Sequence, residues 1–352
     1  MSKVIRSRAE ERLDNISPSR YISHVGKLRS ESIISAQYVG ANGALFKADC
    51  LDLLASIRSD SVDLVFADPP FNLGKRYEDE STGDNFHDEM YRGWSRTWIL
   101  ESIRVLRPGG ALFIYHLPRW LMDIGAWLHS VHGVDFRNWI AMKMKNGFPI
   151  KGRIHPAHYG MLYFTKAGGP TTFNVVRTRT PVCKKCNTLQ RDYGGYRNRY
   201  KKFEDEEGVP WVQISDFWED TRPATHDKAR IQQINELPLH VPERAIQIAS
   251  NEKDVVLDVF SGSGSTIHAA QRNGRYWIGG DLGDSSPALG RIASFWGTGE
   301  AESLPAGLEK CFNKAFRDKV IAKRSTIRPI LAVPIQSRDE AAPKYAAKSK
   351  VI

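Results

Sequence analysis

The chain has 352 residues, 41% of them hydrophobic, enough to bury the core of one large domain or two ordinary ones. Its formal net charge of +10 gives a surface that attracts polyanions, and nucleic acid is the natural partner, although charge without a motif does not establish it. Four cysteines (Cys50, Cys183, Cys186, Cys311) make no secreted-type disulfide framework, and no stretch reaches the roughly eighteen apolar residues of a membrane span, so a cytoplasmic protein with no membrane partner is expected.

Residues 1 to about 42 are polar and charged and read as a basic N-terminal extension with no chemistry assigned. From Ala44 the pattern is α/β: an apolar run at Ala44 to Phe46, a helix near Leu51 to Ile57, and a strand from Val62 to Ala67. Trp94, Trp98, Ile99, Ile103 and Leu106 recur at helical spacing, with Trp94 and Trp98 read as core, and Arg107-Pro108-Gly109-Gly110 should stop that helix before a strand at Ala111 to Tyr115. Residues 43–145 are thus one half of an α/β domain. The span 146–235 loses this rhythm, is rich in Lys, Arg, Tyr, Gly and Asn, and reads as an inserted region for substrate recognition. In 236–300 the rhythm returns: a helix from Pro242 to Ser250, a strand at Val255 to Phe260, a helix through Arg272 and a strand at Tyr276 to Gly280. Residues 301–352 read as a basic C-terminal extension. Short apolar runs alternating with helices predict a mostly parallel sheet covered on both faces, with ligands at the carboxyl ends of its strands.

Two motifs carry chemistry. The segment Asp258-Val259-Phe260-Ser261-Gly262-Ser263-Gly264-Ser265-Thr266 follows a strand and opens a helix, so its glycines can turn sharply and bring backbone amides to a ligand. Asp281, seventeen residues beyond Gly264 at the end of the next strand, is placed to accept hydrogen bonds from ribose hydroxyls. A nicotinamide-dinucleotide site competes for this pattern, but its third glycine is Ile267 here, and no phosphate loop is present.

The second motif, Asp68-Pro69-Pro70-Phe71, follows the strand Val62 to Ala67. An aromatic amine is a poor nucleophile because its lone pair is delocalised. Acceptors on its two N–H groups favour a pyramidal nitrogen, and the Asp68 carboxylate and Pro69 carbonyl can be those acceptors. Consecutive prolines stiffen the turn, and Phe71 offers a ring for a base swung out of a duplex.

At these residues the sequence resembles the DNA amino-methyltransferases of the beta arrangement, in which Asp-Pro-Pro-Phe precedes Phe-x-Gly-x-Gly. Supporting segments are Ala48-Asp49-Cys50, His155-Pro156-Ala157-His158 running into Met161 to Lys166, and Leu237 to Arg244. The resemblance spans roughly 44–296. It implies a Rossmann-like, S-adenosylmethionine-dependent fold with a mixed, mostly parallel seven-stranded sheet. It implies a donor pocket of Asp49, Cys50, Asp68, Phe260, Ser261, Gly262, Gly264, Ser265, Thr266 and Asp281, and a catalytic set of Asp68, Pro69, Pro70 and Phe71, with no metal. Duplex DNA is the implied substrate, with adenine N6 the usual target when the tetrapeptide starts with Asp and cytosine N4 when it starts with Ser. Homodimers are frequent in this family, and a cognate restriction endonuclease is a natural companion that the sequence does not name. An RNA or protein amide methyltransferase, or a silent DNA-binding module, are the readings outside that class. The Leu237 to Glu243 segment departs from the family, which often has Lys-Pro where His240 and Pro242 bracket a valine.

Three weaker features remain. Cys183-Lys184-Lys185-Cys186 is half of a zinc site without its second pair, so free or structural cysteines compete with that reading. Basic and aromatic residues from Arg191 to Lys202 could contact DNA or form a solvated face, and Asn72 to Asn85 could be a loop closing over a flipped base or a plain surface loop.

Overall fold

Continuous runs of Val, Leu, Ile and Phe form the strands of one sheet, because strands buried on both faces need no polar alternation. In the computed structural model these are β1 (Ser35–Val39), β2 (Gly43–Lys47), β3 (Val62–Ala67), β4 (Leu106–His116), β5 (Val134–Lys143) and β6 (His158–Lys166). A separate antiparallel pair, β7 (Arg177–Arg179) and β8 (Trp211–Gln213), precedes β9 (Phe217–Trp218), β10 (Val255–Asp258) and β11 (Tyr276–Asp281). The structure describes residues 34–73, 86–143, 151–152, 154, 157–180, 203–219, 237–296, 303–314 and 316, without the side chains of 295 and 296.

Among the described residues the main sheet has nine strands in the order β1-β2-β11-β10-β3-β4-β6-β5-β9. The pairs from β2 through β4 are parallel, while β4, β6 and β5 are joined antiparallel. The sheet is therefore mixed and mostly parallel, as expected. The short edge strands β1 and β9 extend it beyond the seven strands that the family resemblance implies.

Helices cover both faces. On one lie α1 (Cys50–Ser56), α2 (Asp88–Val105), α3 (Pro118–Ser130) and α7 (Ala306–Glu309); on the other lie α4 (His240–Ala249), α5 (Ser265–Arg272) and α6 (Ser286–Trp296). β3 shows the two-residue period that makes this possible, sending Val65 and Ala67 to the first face and Leu64 and Phe66 to the second. The chain leaves β3 through α2 and leaves β10 through α5, on opposite faces, so the adjacent carboxyl ends of β3 and β10 mark the topological switch point.

Four boundaries differ from the sequence reading. β1 starts within the N-terminal extension and pairs with β2, where the Tyr38 ring stacks on Trp277 at 6.1 Å. β4 begins at Leu106, because the Arg107 guanidinium is held by Asp63 at 2.5 Å and draws the Pro-Gly-Gly segment into the sheet. β6 lies inside the span 146–235, yet it is hydrogen-bonded between β4 and β5 as an interior strand of the sheet. Residues 303–316 are packed: Leu304, Leu308, Phe312 and Phe316 repeat every four residues, and Phe312 and Phe316 each meet the Phe46 ring edge-on at 5.6 Å.

Candidate active site

Asp68, Pro69, Pro70 and Phe71 leave the carboxyl end of β3, and the glycine loop leaves the carboxyl end of β10 beside them. The tetrapeptide is held from behind. The Tyr91 hydroxyl, from α2, donates to the Pro70 carbonyl at 2.5 Å, and Trp120 Nε1, from α3, donates to the Phe71 carbonyl at 3.2 Å. Among the described residues nothing donates to the Pro69 carbonyl or the Asp68 carboxyl. The two acceptors that an amine would need are thus the two left unengaged.

Phe71 is nearly enclosed: His116 stacks on it at 4.9 Å and Tyr115 is tilted against it at 5.8 Å. Tyr159, half-buried on β6, lies 5.6 Å from Tyr115. Burial first, and the Asp68 charge second, push both phenols above their ordinary pKa. Tyr91, Tyr115, His116, Trp120 and Tyr159 were not singled out in the sequence. The signal available was position: Tyr115 and His116 end a strand at the edge where ligands bind, whereas Tyr91 and Trp120 are ordinary apolar positions of amphipathic helices.

The glycine loop is tied to β11. Gly262 N and Gly283 N donate to the two oxygens of Asp281, each at 2.8 Å, and Phe260 N donates to Asp258 at 2.9 Å. Gly264 caps α5 in the left-handed region at φ 82°, and a Cβ there would lie 3.1 Å from that of Ala288. Gly262, also left-handed at φ 45°, has only the Phe260 carbonyl near the position of an added Cβ, so the backbone is open on that side. Phe260 is half-buried and meets the edges of Trp94 at 5.7 Å and Trp98 at 5.2 Å. Trp98 is core, as read from its spacing, while Trp94 lines the border of the loop. At the end of β2, Asp49 caps α1 by accepting from Leu51 N at 2.8 Å, and Ala48 N donates to the Asp281 carbonyl at 3.0 Å, so Asp49 and Cys50 adjoin the same edge. Burial pushes the Cys50 thiol up, which makes it a neutral packing group rather than a nucleophile.

Three carboxyls converge here. Burial raises Asp68, with Asp258 adding to it; burial raises Asp258 to about 7 against its Thr266 and Phe260 hydrogen bonds, with Asp281 adding; and burial raises Asp281 against its backbone donors. Such a site favours a cationic ligand, and Asp281 retains lone pairs beyond the two that hold Gly262 and Gly283. An open glycine backbone, a ring at Phe260 and clustered carboxyls fit S-adenosylmethionine, whose sulfonium and ammonium groups are positive.

The helix α4, where the sequence departs from the family, packs its buried Val241, Ala245 and Ile246 against the sheet. Cys183 and Cys186, Arg191 to Lys202, and 74–85 of the candidate loop lie outside the described residues. Among the described residues no cluster of metal-ligating side chains occurs and no helix is long and apolar enough to cross a membrane.

The type II methyltransferase M.BamHI of Bacillus amyloliquefaciens is 43% identical over 242 residues, 69% of this chain but 55% of that protein, so the chain spans about half of that relative's length. The type II methyltransferase M.HpaI of Haemophilus parainfluenzae is 28% identical over 286 residues, covering 81% of this chain and 84% of that one. A solved structure, the cytosine-N4-specific PvuII DNA methyltransferase, aligns with TM-score 0.46 and 19% identity over 72% of this chain and 86% of its own. The DNA methylase family profile matches residues 62–286, from β3 with its Asp-Pro-Pro-Phe turn through the glycine loop and Asp281, and the chain belongs to that family of N6/N4 DNA methyltransferases.

Proposed function

We propose that this chain transfers a methyl group from S-adenosylmethionine to an exocyclic amino nitrogen of a base flipped out of duplex DNA, with N6 of adenine as the target. The observation that carries the reading is the asymmetry of the tetrapeptide: among the described residues its Pro70 and Phe71 carbonyls are tied down while the Asp68 carboxyl and Pro69 carbonyl are not.

The target amine donates its two N–H groups to Asp68 and the Pro69 carbonyl, which turns the nitrogen lone pair toward the donor. The bound cofactor supplies a methyl group already activated by its positive sulfur. As the nitrogen gains the methyl group and becomes cationic, the sulfur–methyl bond would break and leave a neutral thioether; the surplus proton leaves through Asp68, whose proton affinity burial raises. Phe71, Tyr115 and Tyr159 form the aromatic wall against which the base rests. Asp49, Cys50 and Asp281 would hold the nucleoside end of the cofactor and residues 260–266 its methionine end. Adenine rather than cytosine rests on the acid at position 68, since both bases present the same amino group. Target recognition falls to the part of 146–235 beyond β6. A homodimer and a companion endonuclease belong to this reading as expectations; the relatives named as type II methyltransferases support the second.

The test is incubation with labelled S-adenosylmethionine and mixed-sequence duplex DNA, followed by nucleoside mass spectrometry. N6-methyladenine is expected. N4-methylcytosine would keep the mechanism and overturn the base, whereas label entering only RNA or protein would overturn the substrate. Cofactor binding without any transfer would identify a silent DNA-binding module.

A further inference from the structure

The Leu117 backbone N–H donates to His116 Nδ1 at 2.8 Å. A nitrogen that accepts carries no proton, so in the neutral ring the proton sits on Nε2. Burial keeps the ring neutral by pushing its pKa down to about 3. Nε2 faces the Tyr91 hydroxyl at 2.6 Å and donates to its oxygen. The Tyr91 hydroxyl in turn directs its proton to the Pro70 carbonyl 2.5 Å away. Each of these three links among the described residues therefore has an assigned donor, running from the β4–α3 junction through α2 to the second proline of the turn. Tyr91 is 1% exposed and His116 is fully buried, so water does not compete for the link between them, and the Pro70 carbonyl end is half-buried. The His116 ring also stacks on Phe71, which ties the same residue to both ends of the Pro70-Phe71 pair.

We propose that Tyr91 and His116 are positioning residues for methyl transfer, forming a one-way hydrogen-bond relay that fixes the Pro70 peptide and thereby aims the Pro69 carbonyl and Asp68 at the target amine. The proposal rests on the amino-methyltransferase reading and deepens it. Both side chains act through the turn, so their loss should lower the rate of transfer and leave ligand binding in place.

The test is steady-state and single-turnover methylation of duplex DNA by Tyr91→Phe, His116→Leu, His116→Gln and the Tyr91→Phe/His116→Leu double variant, with folding checked by circular dichroism. Tyr91→Phe keeps the ring and removes one oxygen; its kcat should fall about 10- to 100-fold, with KM for cofactor and DNA within about threefold, as a sub-ångström misplacement of reacting groups would produce. His116→Gln keeps an N–H able to reach Tyr91 and should recover most of the rate lost in His116→Leu. The double variant should be no slower than the slower single one, because both changes cut the same relay. Wild-type kcat in Tyr91→Phe, or equal rates for His116→Gln and His116→Leu, would overturn the proposal. So would additive losses, or losses carried by KM alone. If His116→Leu fails to fold, Tyr91→Phe and the rate of His116→Gln still decide. Absence of transfer by the wild-type chain would instead count against the function on which the relay rests.

Discussion

Replacing Asp258 with asparagine should flatten the pH dependence of folding stability. In the native fold Asp258 ionises at about 7 instead of 3.8, chiefly because it is buried and next because Asp281 repels its charge. A carboxyl with a raised native pKa holds its proton where the unfolded chain has released it. Its contribution is therefore fully present below pH 3.8, shrinks as pH rises, and is gone above about 7. The gap corresponds to about 4 kcal/mol at about 1.4 kcal/mol per unit. The carboxamide of Asp258→Asn has no charge to bury and can still accept from Phe260 N. Asp68 and Asp281, also raised, will leave a residual slope of the same sign in both proteins. Urea unfolding at pH 5, 6, 7 and 8 measures the difference: from pH 5 to 7 the variant should gain about 2 kcal/mol relative to wild type, add a few tenths more by pH 8, and then hold level. Saturating S-adenosylmethionine should shrink that gain, because its positive groups stabilise the ionised acid. Parallel curves for the two proteins would refute the assignment of a buried, charge-crowded Asp258.

Gly264→Ala forces an L-residue to φ 82° with its Cβ 3.1 Å from that of Ala288, so calorimetry should show weaker cofactor binding and thermal melting a stability loss of about 1–2 kcal/mol. Phe312→Ala opens a hole beside Phe46 and Phe316 and should cost about 3–5 kcal/mol by urea titration; a loss below about 1 kcal/mol would mean the C-terminal segment is not part of the core. Asp49→Ala removes the cap of α1, which should cost about 1 kcal/mol, and should also weaken cofactor binding, a pairing that a pure capping role would not give.

The sheet and both motifs were legible because their signals are local. β3 is an uninterrupted apolar run ending at Asp68, and the glycine loop sits between a strand and a helix. The C-terminal packing was also written in the sequence, as the four-residue repeat of Leu304, Leu308, Phe312 and Phe316, but the basic residues beyond it dominated the reading. β6 has its own local signal, the apolar run Met161 to Phe164, but the polar residues around it in 146–235 outweighed that run, and its interior place between β4 and β5 comes from pairing that sequence spacing does not encode. The relay behind the tetrapeptide was out of reach for the same reason. Tyr91 and His116 are 25 residues apart and become partners only when α2 and β4 pack against the turn.

The central claim is that Asp68 and the Pro69 carbonyl are the acceptors for a target amine. The direct measurement is single-turnover methylation of duplex DNA by wild type and Asp68→Ala, with cofactor affinity determined on the same preparations by calorimetry. Asp68→Ala should lose at least about 100-fold in transfer rate while its cofactor Kd stays within about tenfold of wild type. Undiminished transfer, or a rate loss accounted for entirely by lost cofactor binding, would contradict it.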